Sequence, residues 1–263
     1  MIVYGAILPH SPLLIPSIGK EHREKLQATL EAIQTIEKQL YVAKPDTLVI
    51  IAPHGSRYPD AYSINLAPTY VGTFKTFGDH DTVVKAKSDM MVIDRLQRYL
   101  RTESIPFTLT STDELDYSFT VPYMLLTQHL EHTKLVPISP SMQDGAQHFA
   151  FGGMLKSVLQ NESSRIAIIA SADLSHKLTA NSPGGASTEG PMFDESICRF
   201  IASYDIDGLK ALSGPTVENA SQCGYRPIMT LLGCLAETNV RATKLSYEAP
   251  FGVGYMTASF EIL

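Results

Sequence analysis

Apolar and polar positions follow two periods along the chain. Residues 2–8 form a short apolar run that stops at Pro9-His10, as a buried strand does on entering a loop. Over 20–40 the apolar residues Leu26, Leu30, Ile33, Ile36 and Leu40 recur at intervals of three and four, which predicts an amphipathic helix. Residues 47–52 (TLVIIA) are almost wholly apolar, as in a strand covered on both faces, and they too stop at a Pro-His pair, Pro53-His54. The same reading predicts strands at 62–66, 107–110, 135–138 and 165–170, and helices at 89–101, 121–129, 149–159, 191–203 and 227–236. The last two helices open on Pro191 and Pro227, residues suited to a first helical turn. Two closing strands are predicted at 243–247 and 254–260. The stretch 179–188 (TANSPGGAST) reads as a long mobile loop, placed to act as a lid over whatever His176 serves.

Strands alternating with helices define an α/β fold. The expectation is one α/β/α sandwich over residues 1–263 around a mixed, largely parallel central sheet. With 44% hydrophobic and 18% charged residues, the chain has the composition of a folded protein rather than a disordered one. No apolar run approaches the ~18 residues of a membrane span, and the opening segment lacks a basic leader, so it is read as a strand and not a signal peptide. A net charge of −6 argues against a nucleic-acid partner. The three cysteines, Cys198, Cys223 and Cys234, show no CxxC spacing, which fits free thiols in a reducing cytoplasm.

Three buried-type strands run into a histidine: His10, His54 and His176. In open α/β sheets the carboxyl ends of the strands face the ligand crevice, so imidazoles delivered there can converge from distant parts of the chain. Imidazole binds transition metals and also titrates near neutrality. Taken singly, each His could simply cap a strand end. Three at equivalent topological positions favour a shared site. Cys223, in the loop 221–227 before an apolar helix, is either a thiolate ligand or a small buried hydrophobe. Arg226 could anchor a substrate anion or form a surface pair, and the acidic residue of the 247–255 turn, Glu248, is a second candidate for substrate binding. Asp116-Tyr117 lies in a polar break from which it could reach the same crevice. The glycines of 247–255 are not a phosphate-binding loop, because no helix follows them.

The segments ILPHSPLLIP (7–16), IAPHGSRYP (51–59), ASADLSHKL (170–178), EGPMFDE (189–195), QCGYRP (222–227) and YEAPFGVGY (247–255) occur in this order. Together they resemble the LigB-type class III extradiol dioxygenase superfamily, in the branch of the Memo-like proteins, also called AmmeMemoRadiSam system protein B. The resemblance covers essentially the whole chain. It implies non-haem Fe(II) held by two His and a carboxylate, with open positions for a catechol-type diol and for oxygen. Carried over, His10 and His54 match the ligand histidines and His176 the acid/base histidine. Two positions depart from the dioxygenase pattern. Gln222 stands where the ligand Glu is expected, and Tyr117 stands where a second pocket His is expected. In the Memo branch a Cys contributes at the metal, and it matches Cys223, so the third ligand is open between Cys223, Gln222 and neither.

The implied function is extradiol cleavage of a small aromatic diol, with His176 and Tyr117 catalytic. The alternative is a Memo-like metal-binding protein of altered or lost oxygenase chemistry, acting in redox handling or as a protein partner. A metal-free hydrolase or binding module is a third reading, and it lacks a GxSxG elbow to support it. Zinc or copper would also accept His, Cys and Gln donors. A homodimer is compatible with a chain of this size, although no segment marks an interface.

Overall fold

The structure, a computed structural model, describes residues 1–263. From the N-terminus, β1 (Ile2–Leu8) leads through the short α1 (Pro16–Gly19) and a 3-10 stretch (Lys20–Leu26) into α2 (Gln27–Ala43) and β2 (Thr47–Ile51). Next come β3 (Tyr62–Asn65), β4 (Thr69–Phe74), β5 (Asp79–Lys87), α3 (Met90–Thr102), β6 (Phe107–Thr110), β7 (Glu114–Leu115), α4 (Tyr117–Leu126) and β8 (Lys134–Ser139). The chain continues with α5 (Gly145–Leu159), β9 (Ile166–Ser171), α6 (Glu189–Ser203), α7 (Ile206–Lys210), α8 (Gly214–Asn219), α9 (Tyr225–Leu235), β10 (Val240–Glu248) and β11 (Tyr255–Ile262).

Eight strands form the main sheet in the order β10-β11-β1-β9-β2-β8-β3-β6. Its centre, β1-β9-β2-β8, is parallel, while β11 runs antiparallel to β1, and β3 antiparallel to β8. The central strands are apolar on both sides because each side is covered. Ile7, Val49, Ile51, Ile168 and Ala170 pack with α3, α5, α6 and α9. Their alternate neighbours Ala6, Leu8, Leu48, Ile50 and Ile169 pack with α2 and α4. Fully burying such an aliphatic side chain contributes about 1.5–3 kcal/mol. No helix is long and apolar enough to cross a membrane.

Some sequence expectations shift. The stretch before α2 is 3-10, so the α-helix proper starts at Gln27. A second, three-stranded sheet, β5-β4-β7, was not anticipated. Its strand β5 alternates only weakly and is largely exposed, which leaves little period-two signal. Helix α4 begins at Tyr117, four residues before the predicted 121, because the Asp116 carboxylate accepts the Ser118 N–H and caps the helix there. Pro122 therefore lies inside the helix.

The segment 179–188 is not a free flap. Gly184 N–H donates to His176 O (2.9 Å), Ser187 N–H to Lys177 O (3.1 Å) and Ser182 N–H to Thr179 O (3.0 Å). Ser182 is buried, so the loop is a hydrogen-bonded hairpin closed on its own base.

Candidate metal centre

Because β1, β9 and β2 are parallel neighbours, their carboxyl ends emerge along one edge of the sheet. Pro9-His10 leaves β1 there and Pro53-His54 leaves β2. Between them β9 runs into Ala172-Asp173-Leu174-Ser175-His176.

His10 is 1% exposed, and its orientation is over-determined. Its backbone N–H donates to Asp173 Oδ1 (2.9 Å). Its Nδ1 lies 2.9 Å from Ser171 Oγ, and that hydroxyl donates to Ser118 O at 2.6 Å. Having given its proton to Ser118, the hydroxyl accepts from His10, so Nδ1 carries the hydrogen and Nε2 presents its lone pair to the crevice. The Ser118 carbonyl is free for this role because its helical partner would be the N–H of residue 122, and Pro122 has none.

Cys223 Sγ lies 3.6 Å from His10 Nε2, and one ligand atom each from His10, His54 and Cys223 fall within 4.8 Å of one another. A thiolate and an imidazole on one tetrahedral ion sit about 3.5 Å apart, given metal–ligand distances near 2.3 and 2.0–2.1 Å. The group therefore fits a single metal ion. Cys223 is drawn in by a close backbone approach. A Cβ on Gly224 would meet Ala172 Cβ at 2.7 Å and Asp173 O at 2.9 Å, so glycine is required beside the cysteine. Asp173 O in turn takes the Cys223 N–H at 3.4 Å.

The imidazoles are held neutral, as ligands must be. Burial depresses His10 despite the opposing charge of Asp173, whose Oδ2 lies 3.7 Å from His10 Nε2. His54 is depressed to about 4, chiefly by burial and then by His10. Without metal, burial pushes the Cys223 thiol up, followed by the Asp173 charge. A bound cation reverses that preference. The Tyr117 ring stacks on His54 (centroids 5.4 Å apart, 19° between planes), and burial raises its phenol, so it stays protonated.

The other candidate residues divide. His176 sits at the same edge, and its charge is among the influences on His10. Its Nδ1–H donates to Leu174 O (3.0 Å), leaving Nε2 as the basic atom. Gln222, considered as a ligand, is instead a helix cap: Oε1 accepts the Tyr225 N–H at the start of α9 (2.7 Å), and Nε2 donates to Val217 O (3.5 Å). Arg226 does not offer its head to a substrate anion, because Nε and Nη2 donate to the carbonyls of Gln143 (2.8 Å) and Met142 (3.0 Å). Glu248, the second substrate-binding candidate, accepts the Thr29 N–H in the first turn of α2 (2.7 Å) and substitutes for the side-chain cap that Leu26 cannot provide.

Ser171 and Asp173 were missed from the sequence, whereas Asp116, expected to reach the crevice, does line the cavity beside His54. Asp173 carried a signal, an acid three residues before His176 in the DLSH segment. Ser171 carried none, because it ends an apolar strand like any other small residue. A cavity of about 360 Å³ opens beside His54, bounded by Asp116 and Phe119 and reaching strands β3 and β8.

With fold and site in place, the class can be stated. The profile described as "Catalytic LigB subunit of aromatic ring-opening dioxygenase" matches residues 4–258, and the chain belongs to that family. Its sequence relatives include MEMO1 family proteins of Methanosarcina mazei (26% identical over 252 residues) and Methanosarcina acetivorans (27% over 252 residues), each covering 93% of this chain and 78% of the relative. A Clostridium acetobutylicum protein is 26% identical over 264 residues, and the match spans 97% of this chain but only 56% of that relative's length. Among solved structures, the uncharacterized Escherichia coli K12 protein JW3007 shares the fold, with a TM-score of 0.69 at 16% identity, covering 98% of this chain and 99% of that one.

Proposed function

We propose that the protein is an iron(II)-dependent oxygenase of the extradiol type that opens a catechol-like aromatic diol. The observation that carries this reading is the convergence of His10, His54 and Cys223 on one point, in a chain of the LigB family. The bound ion would supply Lewis acidity toward the diol oxygens and a place for dioxygen. His10 and His54 hold it through neutral nitrogens, and the Ser171 hydroxyl fixes which nitrogen His10 offers. His176 Nε2 accepts a proton from the diol and later returns it, with the ring held by the Leu174 carbonyl. Tyr117 donates a hydrogen bond from a phenol that burial keeps protonated. The three unpaired thiols fit a cytoplasmic setting.

A second reading, a metal-binding protein of altered oxygenase chemistry, is favoured by one feature. The ligand set has a thiolate and no carboxylate, since Gln222 is spent as a cap. Such a set also suits zinc or copper.

The test is metal content of anaerobically purified protein, run beside a His10→Ala/His54→Ala double variant and Cys223→Ser. Oxygen uptake is then followed across a catechol panel. Near-stoichiometric iron lost in the double variant, weakened in Cys223→Ser and accompanied by a yellow ring-opened product is the expected result. Iron-loaded protein that consumes no oxygen with any catechol rejects oxygenase activity and leaves the second reading. Metal retained in the double variant rejects both.

A further inference from the structure

The cavity beside His54 has a chemistry that the metal ligands do not explain. Its floor holds Ser63 and Ser139, register partners across β3 and β8 and only 3% and 4% exposed. Their hydroxyls line the cavity, where solvent reaches them, and neither is spent on a hydrogen bond to another protein group, so both can pair with a polar group that enters. The charged side chains on the wall are both acidic, Glu114 and Asp116; no Lys or Arg lines the space. Glu114 makes no ion pair. Asp116 uses one carboxylate oxygen on the Ser118 N–H and hydroxyl, and the other is free. Arg57, the nearest cation in sequence, is exposed on the loop after His54 and lies outside the lining. Phe119 supplies the apolar wall.

We propose that this cavity is a subsite for the non-reacting arm of the diol, and that it selects an arm ending in a hydrogen-bond donor, an amine or a hydroxyl, over one ending in a carboxylate. The inference rests on the diol reading above. An ammonium or hydroxyl hydrogen donates to the carboxylates and to the serine hydroxyls, which can accept. A carboxylate arm would bring a third negative charge beside Glu114 and Asp116 in a partly enclosed space whose own lining holds no Lys or Arg.

The test is anaerobic calorimetric titration of the Fe(II)-loaded full chain with four catechols that differ only at position 4: methyl, 2-hydroxyethyl, 2-aminoethyl and carboxymethyl. The hydroxyethyl and aminoethyl compounds are expected to bind about tenfold or more tighter than the carboxymethyl compound. Glu114→Lys should reverse the order of the aminoethyl and carboxymethyl compounds while leaving 4-methylcatechol unchanged. Ser139→Ala should weaken the hydroxyethyl compound alone among the neutral pair. If 4-methylcatechol binds but the arms are not ranked, or the carboxymethyl compound is preferred, the subsite is wrong and the diol reading stands. If none of the four binds, the diol reading fails and the subsite with it.

Discussion

Ser171→Ala tests how the site is held. Ser171 is fully buried, and its hydroxyl is the only link between the His10 ring and the Ser118 carbonyl. Removing it leaves two buried groups unpartnered, the His10 Nδ1–H and the Ser118 C=O. Each such loss costs about 1–3 kcal/mol, so the metal-free protein should lose about 2–6 kcal/mol. For a chain of this length that corresponds to a fall in Tm of about 4–24 °C. Affinity should fall as well, because His10 no longer has its tautomer imposed. Loss of such a supporting hydrogen bond typically weakens metal binding about 10–100-fold. The assay pairs thermal unfolding of the metal-free variant with a chelator competition titration of the folded variant by Zn(II) and, anaerobically, Fe(II). A variant that melts lower yet binds metal within about twofold of the parent would show that Ser171 only fills space, and the tautomer argument would fail.

Acidification should destabilise the metal-free protein. His148 and His54 are both held near 4 by burial, against an ordinary 6.5, and His10 is lowered too. Below pH 6.5 the unfolded chain takes up protons that the folded chain refuses until about 4, so stability drops across that window. Asp194, raised to about 6 by burial, works the opposite way between 3.8 and 6, one group against three. Urea midpoints that hold or rise from pH 7 to pH 5 would contradict this. Glu248→Ala removes the cap of α2 and should cost about 1 kcal/mol with metal affinity unchanged. Weaker catechol binding in that variant, seen by calorimetry, would restore Glu248 to the substrate site.

Most of the framework was legible because its causes are local. The apolar runs at 2–8, 47–52 and 165–170 could only be strands covered on both faces, and their ends located His10, His54 and the DLSH segment. Burial of apolar surface is written into composition and period, so the parallel core and most of the helices followed. The small sheet did not: β4 alternates in burial, but Gly72 occupies an inward position and the apolar Val71 an outward one, which hides the period in the sequence, and β5 is largely exposed.

The chemistry of the site was only partly local. Sequence supplied the candidates, but polar side chains have many possible partners, and packing alone chooses among them. Gln222, Arg226 and Glu248 were consumed by a helix start, two loop carbonyls and another helix start, contacts that depend on which elements meet. The same packing set Ser171 against a carbonyl that Pro122 leaves free, and brought Cys223 within 3.6 Å of a residue 213 positions away. The sequence alone determined that three histidines arrive at one sheet edge. Only the tertiary structure decided which His10 nitrogen faces the crevice and that a thiol, not an amide, lies beside the two imidazoles. Those choices are made by long-range hydrogen bonds, and no periodicity along the chain encodes them.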